Sequence, residues 1–353
     1  MPSRIYPFEE MSVSTGSPSL LYCRDGKRDL PLIVLVTGGG VLARISYGHP
    51  EGREQDFLAY WLRSAGYPFL ALSYPLGNPV FPTVHPDFSV QDWGEQVAES
   101  IAKVVNAKQL PRDVVILAWS MAGRIAVPLV TALKRRGCDI ELFVAMAASP
   151  PLAFVPPLEH LQPASDGLAN VSGPFTHWLV RSLAEQGERA GRALIPEAVF
   201  RREFTGNIPV NLVASSLRWR AGSFVSDLSA DLADTRALEY EAYPPTAVIT
   251  HDDAGDSRHA LTDTAAWACS INQSLCARHL FAHQDRIAGL PAEAWHHLLG
   301  RVRSATDDLS TVMAGNHMFF LGEDSARATI AALEKLRRSS NDLRSGLTKL
   351  LAD

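Results

Sequence analysis

Residues 114–123 have the sequence VVILAWSMAG, an apolar run that is followed directly by a serine. The run begins with three β-branched residues, which predicts a short strand buried on both faces of a sheet. Residues from Met121 to Arg136 predict a helix that ends at Gly137. Ser120 therefore lies on a tight strand-to-helix turn. A serine there has its hydroxyl exposed above the sheet, beside the N–H groups and the positive dipole end of the helix.

The same kind of apolar run recurs along the chain. Predicted strands are SLLYCR (19–24), LIVLV (32–36), FLALSYP (69–75), ELFVAMAASP (141–150), TAVIT (246–250), a weaker RHLFA (278–282) and LSTVMA (309–314). Predicted helices cover 53–65, 90–108, 292–304 and 324–351. Strands that alternate with helices are typical of an α/β protein with a doubly wound, mostly parallel sheet.

The alternation stops after Pro150-Pro151 and resumes near Thr246. The intervening residues are Pro-rich at first and then mainly helical in pattern, as expected of an inserted cap over the sheet. We therefore predict that 1–150 and 246–353 are the two parts of an α/β core and that 151–245 is a helical cap or lid.

Composition excludes several classes of protein. The chain has 353 residues, of which 46% are hydrophobic and 20% charged, and its formal net charge is −5. Nucleic-acid-binding proteins usually carry a basic surplus, so no nucleic-acid partner is expected. No segment reaches the roughly 20 apolar residues that a membrane span needs, and the N-terminus lacks the apolar region of a secretory signal. Four scattered cysteines favour reduced thiols and a cytoplasmic location.

A glycine run follows the strand at 32–36. Gly38-Gly39-Gly40-Val41-Leu42-Ala43 formally fits the dinucleotide fingerprint G-x-G-x-x-A. That motif requires an acidic residue at the end of the next strand to hold the ribose. The next strand ends in Ser73-Tyr74-Pro75, so we expect no nucleotide and no other cofactor. The glycines instead allow the backbone to approach a ligand closely.

The last predicted strand is followed by Gly315-Asn316-His317-Met318. A histidine in a loop between a buried strand and a terminal helix is able to reach across the strand ends. This position distinguishes His317 from the other ten histidines of the chain.

Taken together, these segments resemble the α/β-hydrolase superfamily. The resemblance rests on VLVTGGG, AGYPFLALSYP, AWSMAGRIA, ELFVAMAASP and GNHMFF, and covers most of 32–150 and about 278–335. The family places serine, acid and histidine in that chain order. It therefore implies that Ser120 is the nucleophile and His317 the general base. The chain departs from the usual G-x-S-x-G motif, because Ala118 and Ala122 replace both glycines.

Two positions compete for the acid. Asp285, in LFAHQDRI, resembles the family's turn after a strand, and it precedes His317 by a spacing that suits one helix and one strand. The alternative is Asp253 or Asp256, after the better strand TAVIT. We favour Asp285. The residues His251, Asp252, Asp253, Asp256 and His259 also form a candidate metal cluster. Carboxylates in such loops are more often solvated or capping, so we predict no metal.

The resemblance implies a serine hydrolase that cleaves a carboxylic ester or thioester through an acyl-enzyme. The N–H groups of Met121 and Gly39 would form the oxyanion hole, and Trp119, Gly38 and Gly40 would contact the substrate. The expected partner is a small-molecule acyl substrate, and a homodimer is a candidate oligomeric state. Alternatives are an acyltransferase with the same triad and a binding protein without hydrolytic activity. An apolar acyl pocket would be lined by the cap residues Phe154, Phe175, Trp178, Leu179, Phe200, Phe204 and Trp219.

Overall fold

The computed structural model describes residues 5–152 and 161–351. The strands are β1 (Glu9–Ser14), β2 (Ser17–Arg24), β3 (Ile33–Val36), β4 (Phe69–Ser73), β5 (Asp113–Trp119), β6 (Asp139–Met146), β7 (Leu217–Arg220), β8 (Ser223–Ser226), β9 (Thr246–His251) and β10 (Ser310–Met313). The α-helices are α1 (Leu58–Ser64), α2 (Val90–Lys108), α3 (Ala126–Lys134), α4 (Pro174–Arg189), α5 (Glu197–Glu203), α6 (Leu228–Thr235), α7 (Thr264–Leu275), α8 (Gln284–Ala288), α9 (Ala292–Asp308) and α10 (Glu323–Leu351).

Eight strands form one sheet in the order β1-β2-β4-β3-β5-β6-β9-β10. The two pairs that involve β2 are antiparallel, and the other pairs are parallel. This confirms the predicted α/β class with a mostly parallel sheet. Every residue of β3 and β4 is buried, as expected for apolar runs with helices on both sides. The parallel strands all end at the same edge of the sheet, and the loops that follow β3, β5, β9 and β10 therefore meet there.

Helices pack in pairs around the sheet: α2 lies against α3, and α10 lies against α1 and α9. The structure begins α2 where the sequence predicts it. The Ser89 hydroxyl accepts the Asp92 N–H at 3.1 Å, and the Asp92 carboxylate accepts the Ser89 N–H at 3.0 Å. This reciprocal capping satisfies N–H groups that the first helical turn leaves without a partner.

One predicted strand is wrong. Residues 278–282 are helical, in a run that continues from α7 through Cys276–Leu280 and Phe281–His283 into α8. Phe281 is exposed, so the apolar residues of this segment do not form a buried strand. The structure also contains β1 and the hairpin of β7 and β8, which the sequence analysis missed. Each is short and mixes polar with apolar residues, and most of its side chains are not buried.

The segment between β6 and β9 contributes α4, α5, α6 and the β7–β8 hairpin. A buried ion pair joins it to the turn that contains Ser120: Arg124 Nη2 lies 2.6 Å from Oδ1 of Asp231 in α6. Arg218 of β7 pairs with Asp234 of α6 at 2.7 Å. The predicted pocket residue Phe154 lies outside the described residues. Within the described ranges, no helix is both long enough and apolar enough to cross a membrane.

Candidate active site

Ser120 follows the last residue of β5 and begins a short helical turn, Ser120–Ile125, that leads into α3. Its φ angle is +57°, in the left-handed region that residues other than glycine seldom adopt. A strained serine between strand and helix is the geometry that presents a nucleophile above a sheet. Ala118 and Ala122 are both buried. The glycine that the turn requires is Gly123, because a Cβ at that position would overlap the carbonyl oxygen of Ser149.

The glycine run after β3 lies directly against this turn. A Cβ on Gly38 would lie 2.6 Å from the Cβ of Ser120, so only glycine fits there. A Cβ on Gly39 would lie 3.4 Å from the sulfur of Met121, which brings the two predicted oxyanion residues together. The N–H of Met121 is near the start of a helical turn, where N–H groups have no intrahelical partner.

Tyr74 holds the glycine loop in place. Its hydroxyl accepts the Gly40 N–H at 2.8 Å and donates to the Gly38 carbonyl at 3.2 Å. Burial raises the pKa of Tyr74 far above its usual range, so the hydroxyl stays neutral and keeps its proton for this bond. In the sequence, Tyr74 is distinctive only because it stands where a nucleotide-binding motif would have an acidic residue. A buried tyrosine needs a partner for its hydroxyl, but the sequence does not say which.

His317 lies in a loop that is anchored on three sides. The Gly315 N–H donates to the Asp252 carboxylate at 3.0 Å, and the Asn316 side chain donates to the Ser182 carbonyl of α4 at 2.8 Å. The indole N–H of Trp119 donates to the His317 carbonyl at 3.0 Å. Because Trp119 immediately precedes Ser120, this bond places the histidine loop beside the turn that contains Ser120. The side chain of His317 is 1% exposed.

The acid partner of His317 is Asp256. Nδ1 of His317 lies 2.8 Å from Oδ2 of Asp256, in the loop after β9. The preferred candidate, Asp285, is an exposed residue of α8. The structure therefore corrects that prediction, and the cause is the misassigned strand at 278–282, which would have ended just before Asp285. Asp253, the other rival, accepts the Gly255 N–H at 3.1 Å.

Two more histidines share the Asp256 carboxylate. His251 Nε2 lies 2.9 Å from Oδ2, and His259 Nδ1 lies 2.7 Å from Oδ1. Burial by itself raises the pKa of Asp256, but hydrogen bonds from His251, His259 and His317 outweigh it and hold the pKa well below its usual range. Burial lowers the pKa of His317 and lowers that of His259 to about 4. At neutral pH the side chains of His259 and His317 are therefore neutral beside an ionised Asp256.

The same residues present a possible ligand set, because one atom each of His251, Asp256 and His317 lie within 4.8 Å of one another. An imidazole that binds a metal donates its other N–H to an acceptor. The other nitrogen of His251 instead faces a donor, the Asp253 N–H at 3.3 Å. His251 must therefore carry its proton on Nε2, the atom that points to Asp256. This arrangement fits a hydrogen-bonded carboxylate rather than a metal centre.

A cavity of about 400 Å³ lies beside His317 and the glycine loop, and its lining is almost entirely apolar. Trp178 lines the cavity and contacts His317, since the centres of these two rings are 4.8 Å apart. Ile208 and Phe175 connect it to Gly39, since a Cβ on that glycine would lie 3.3 Å and 3.7 Å from them. The lining residues are Leu161, Asn170, Val171, Gly173, Pro174, Phe175, Trp178, Ile208 and Val213.

Trp119 has a different environment from the one predicted. It is 1% exposed and packs against His317 and Phe320, with ring centres 5.2 Å and 5.4 Å away. Its ring therefore packs against the histidine loop, and among the described residues it does not line the cavity. Of the predicted pocket residues, Phe175 and Trp178 line the cavity, whereas Phe200 and Phe204 are fully buried and stack on each other.

Comparison with known proteins gives a match in structure alone. No family model matches the sequence, and no curated protein matches it. The enol-lactonase from Burkholderia xenovorans LB400 is similar, with a TM-score of 0.50 and 15% identity over 93% of this chain and 99% of that chain. A carboxylesterase structure from Nitrososphaera gargenis gives a TM-score of 0.46 and 12% identity over 94% and 100% of the two chains. Because the enol-lactonase match spans nearly the whole of both chains, we conclude that this protein has the fold of the α/β-hydrolase superfamily.

Proposed function

We propose that this protein is a serine hydrolase that cleaves a carboxylic ester or thioester through an acyl-enzyme on Ser120. One observation carries the proposal, namely the buried 2.8 Å hydrogen bond from Nδ1 of His317 to Asp256. The loop that contains His317 is itself hydrogen-bonded to Trp119, the residue before Ser120. The bond to Asp256 puts the His317 proton on Nδ1 and leaves Nε2 as the basic nitrogen. A base oriented by a buried carboxylate next to a strained serine is the arrangement required for nucleophilic catalysis.

The proposed reaction has two steps. The Ser120 oxygen attacks the substrate carbonyl while its proton passes to Nε2 of His317, and the N–H groups of Met121 and Gly39 stabilise the oxyanion. Collapse of this intermediate breaks the ester or thioester bond, and His317 returns the proton to the departing alcohol or thiol. Water then attacks the acyl-enzyme with the same base and releases the acid. Loss of one oxyanion donor typically costs about 3–4 kcal/mol of transition-state stabilisation.

The apolar cavity supports an acyl chain as the group that is bound. Its volume of about 400 Å³ is within the range of small-molecule sites, and among the described lining residues only Asn170 has a polar side chain. Each buried methylene contributes about 0.8 kcal/mol, so medium-length acyl chains should be preferred over acetyl. In this proposal 151–245 is the cap that builds the pocket, between the two parts of the core, and it excludes water from the reacting carbonyl.

Labelling with a fluorophosphonate probe tests the proposal. The wild-type protein should gain one adduct on Ser120, detected by mass spectrometry of the peptide, and Ser120→Ala should gain none. An unlabelled wild type would instead support the alternative of a hydrolase-fold binding protein without hydrolytic chemistry. Transfer to an added alcohol, amine or thiol in competition with water would identify the acyltransferase alternative, which uses the same residues.

The remaining predictions concern the protein in the cell. A cytoplasmic location agrees with the four free cysteines, and cell fractionation tests it. Sedimentation velocity tests the homodimer.

A further inference from the structure

The end of β9 and the segment that follows it bring two imidazole groups to Asp256 beyond the one that a catalytic triad uses. A triad needs one hydrogen bond from base to acid, and His317 supplies it. His251 and His259 add two more, at 2.9 Å and 2.7 Å. Both side chains are almost completely buried, so these are contacts of an interior site. Neither histidine has a part in the reaction proposed above.

The hydrogen-bond partners determine which nitrogen of each ring carries the proton. His251 accepts the Asp253 N–H on Nδ1, and it therefore donates to Asp256 from Nε2. His259 directs Nδ1 at Oδ1 of Asp256, and its Nε2 lies 3.7 Å from Oδ2 of Asp263. Each ring in its neutral form supplies one N–H to the carboxylate. The two oxygens are then both occupied: Oδ1 by His259, and Oδ2 jointly by His251 and His317.

We infer that His251 and His259 are positioning residues, which bind both oxygens of the Asp256 carboxylate and prevent its rotation, so that Oδ2 stays aligned with Nδ1 of His317. The inference rests on the proposed function, because it gives these residues a role through the base of that reaction. Rotation of the carboxylate would break the bonds on both oxygens at once. The two extra donors also draw charge from the carboxylate, which weakens its support of protonated His317.

Other charged groups surround the cluster. Arg258 lies beside both His259 and His317, where its charge disfavours their protonation, and it bonds the Ser149 hydroxyl at 2.7 Å. Asp263 lies 3.3 Å from the Arg258 guanidinium and faces His259. From the neighbouring loop, Asp252 accepts the Gly315 N–H. On the cap side, α4 presents the uncharged ring of Trp178 to His317. None of these groups is itself substituted in the variants below.

The geometry allows a reciprocal test with two amides. An asparagine amide occupies nearly the same place as Nδ1 of histidine, and a glutamine amide nearly the same place as Nε2. His259→Asn and His251→Gln therefore keep a donor on Asp256, whereas His259→Gln and His251→Asn remove it. All four variants are polar and of similar size, so each position has a loss-of-donor variant and a matched control.

We expect the two loss-of-donor variants to lower kcat by about tenfold, since a buried hydrogen bond is worth on the order of one power of ten, with KM unchanged. The pKa of the acid limb of kcat/KM should rise, because the carboxylate that loses a donor supports protonated His317 better. The donor-keeping controls should stay within about threefold of wild type, with an unshifted acid limb. A purely structural role would not give rescue that depends on which amide is used.

A second measurement does not depend on activity. The Nδ1 proton of His317, hydrogen-bonded to Asp256, should be visible by NMR at low field. It should move in the two loss-of-donor variants and keep its position in the controls. Equal kinetics and equal spectra within each Asn/Gln pair would overturn the inference. Failure of the proposed function gives a different result, namely a wild-type protein that the fluorophosphonate does not label.

Discussion

His317 and Asp256 are joined by a buried 2.8 Å hydrogen bond although 61 residues separate them in the chain. The interval contains the helical run from α7 to α9 and the strand β10. The contact exists because β9 and β10 are parallel neighbours, so that the loops at their ends meet at one edge of the sheet. Asp256 follows the first of these strands, and His317 follows the second.

Asp256→Asn should lower kcat by roughly 10⁴-fold, because the amide no longer holds His317 in the right tautomer or stabilises its charged form. Asp285→Asn is the matched control and should stay within about twofold of wild type, as expected for an exposed residue of α8. Steady-state hydrolysis of p-nitrophenyl esters measures both. The opposite ranking would return the acid to 285 and contradict the site described above.

Ser120→Ala should abolish ester hydrolysis and covalent labelling while the melting temperature changes little. The substitution removes one partly exposed oxygen and leaves the left-handed backbone of the turn as it is. Circular dichroism and a labelling gel check the two expectations together. Hydrolysis by this variant at the parental rate would show that the nucleophile is elsewhere.

Gly38→Ala should inactivate the protein, because the new Cβ would lie 2.6 Å from the Cβ of Ser120 and one of the two loops must move. Such overpacking typically costs about 1–3 kcal/mol of stability. Gly300→Ala is the control: it lies in α9 with no atom within 4 Å of the added Cβ, and it should raise stability by up to about 1 kcal/mol. Urea denaturation and an esterase assay separate these outcomes. Full activity in Gly38→Ala would mean that the glycine loop does not abut the nucleophile.

The cavity predicts a dependence on acyl-chain length. A series of p-nitrophenyl esters and acyl thioesters should show kcat/KM rising from acetyl to medium chains, by about fourfold for each methylene buried. Phe175→Ala widens the cavity and should move the optimum to longer chains, whereas Leu238→Ala, at a residue that is 63% exposed, should leave it in place. A flat profile, or a maximum at acetyl, would exclude an apolar acyl pocket.

Acid should destabilise the wild-type protein through His259. The pKa of this side chain is about 4 in the folded protein, owing to burial, and about 6.5 in the unfolded chain. Between these values the unfolded state binds more protons, so the contribution of His259 to stability falls as the pH falls from 6.5 to 4. The full effect is on the order of 3 kcal/mol.

Asp263 acts in the opposite direction, because burial raises its pKa to about 6 and the folded state takes up its proton first on acidification. The comparison is therefore the free energy of unfolding of wild type minus that of His259→Asn, in which the contribution of Asp263 cancels. This difference should decrease as the pH falls through the window. A difference that stays constant with pH would show that His259 is not held neutral by burial.

Local patterns in the sequence were sufficient to predict the elements whose residues are neighbours along the chain. Continuous apolar runs identified the buried strands β3, β4 and β5, because a strand covered on both faces has no polar side to alternate with. The periodicity of 90–108 located α2 to the residue. Ser120 could be singled out because it directly follows a strand, and His317 because it lies in the loop after the last strand; both positions have a meaning in this fold.

The hydrogen-bond partner of His317, and the contacts that position the loops around it, depend on tertiary structure that no local pattern contains. A short apolar run such as 278–282 has the same pattern in a helix as in a strand, so the choice between Asp285 and Asp256 could not be made locally. The contacts of Tyr74 with the glycine loop, of Trp119 with the histidine loop, and of His251 and His259 with Asp256 join groups whose pairing depends on distance in space. Carboxylates and imidazoles in loops look alike in sequence. Which of them meet is determined by the order and direction of the strands that end beside them, and that order is a property of the whole sheet.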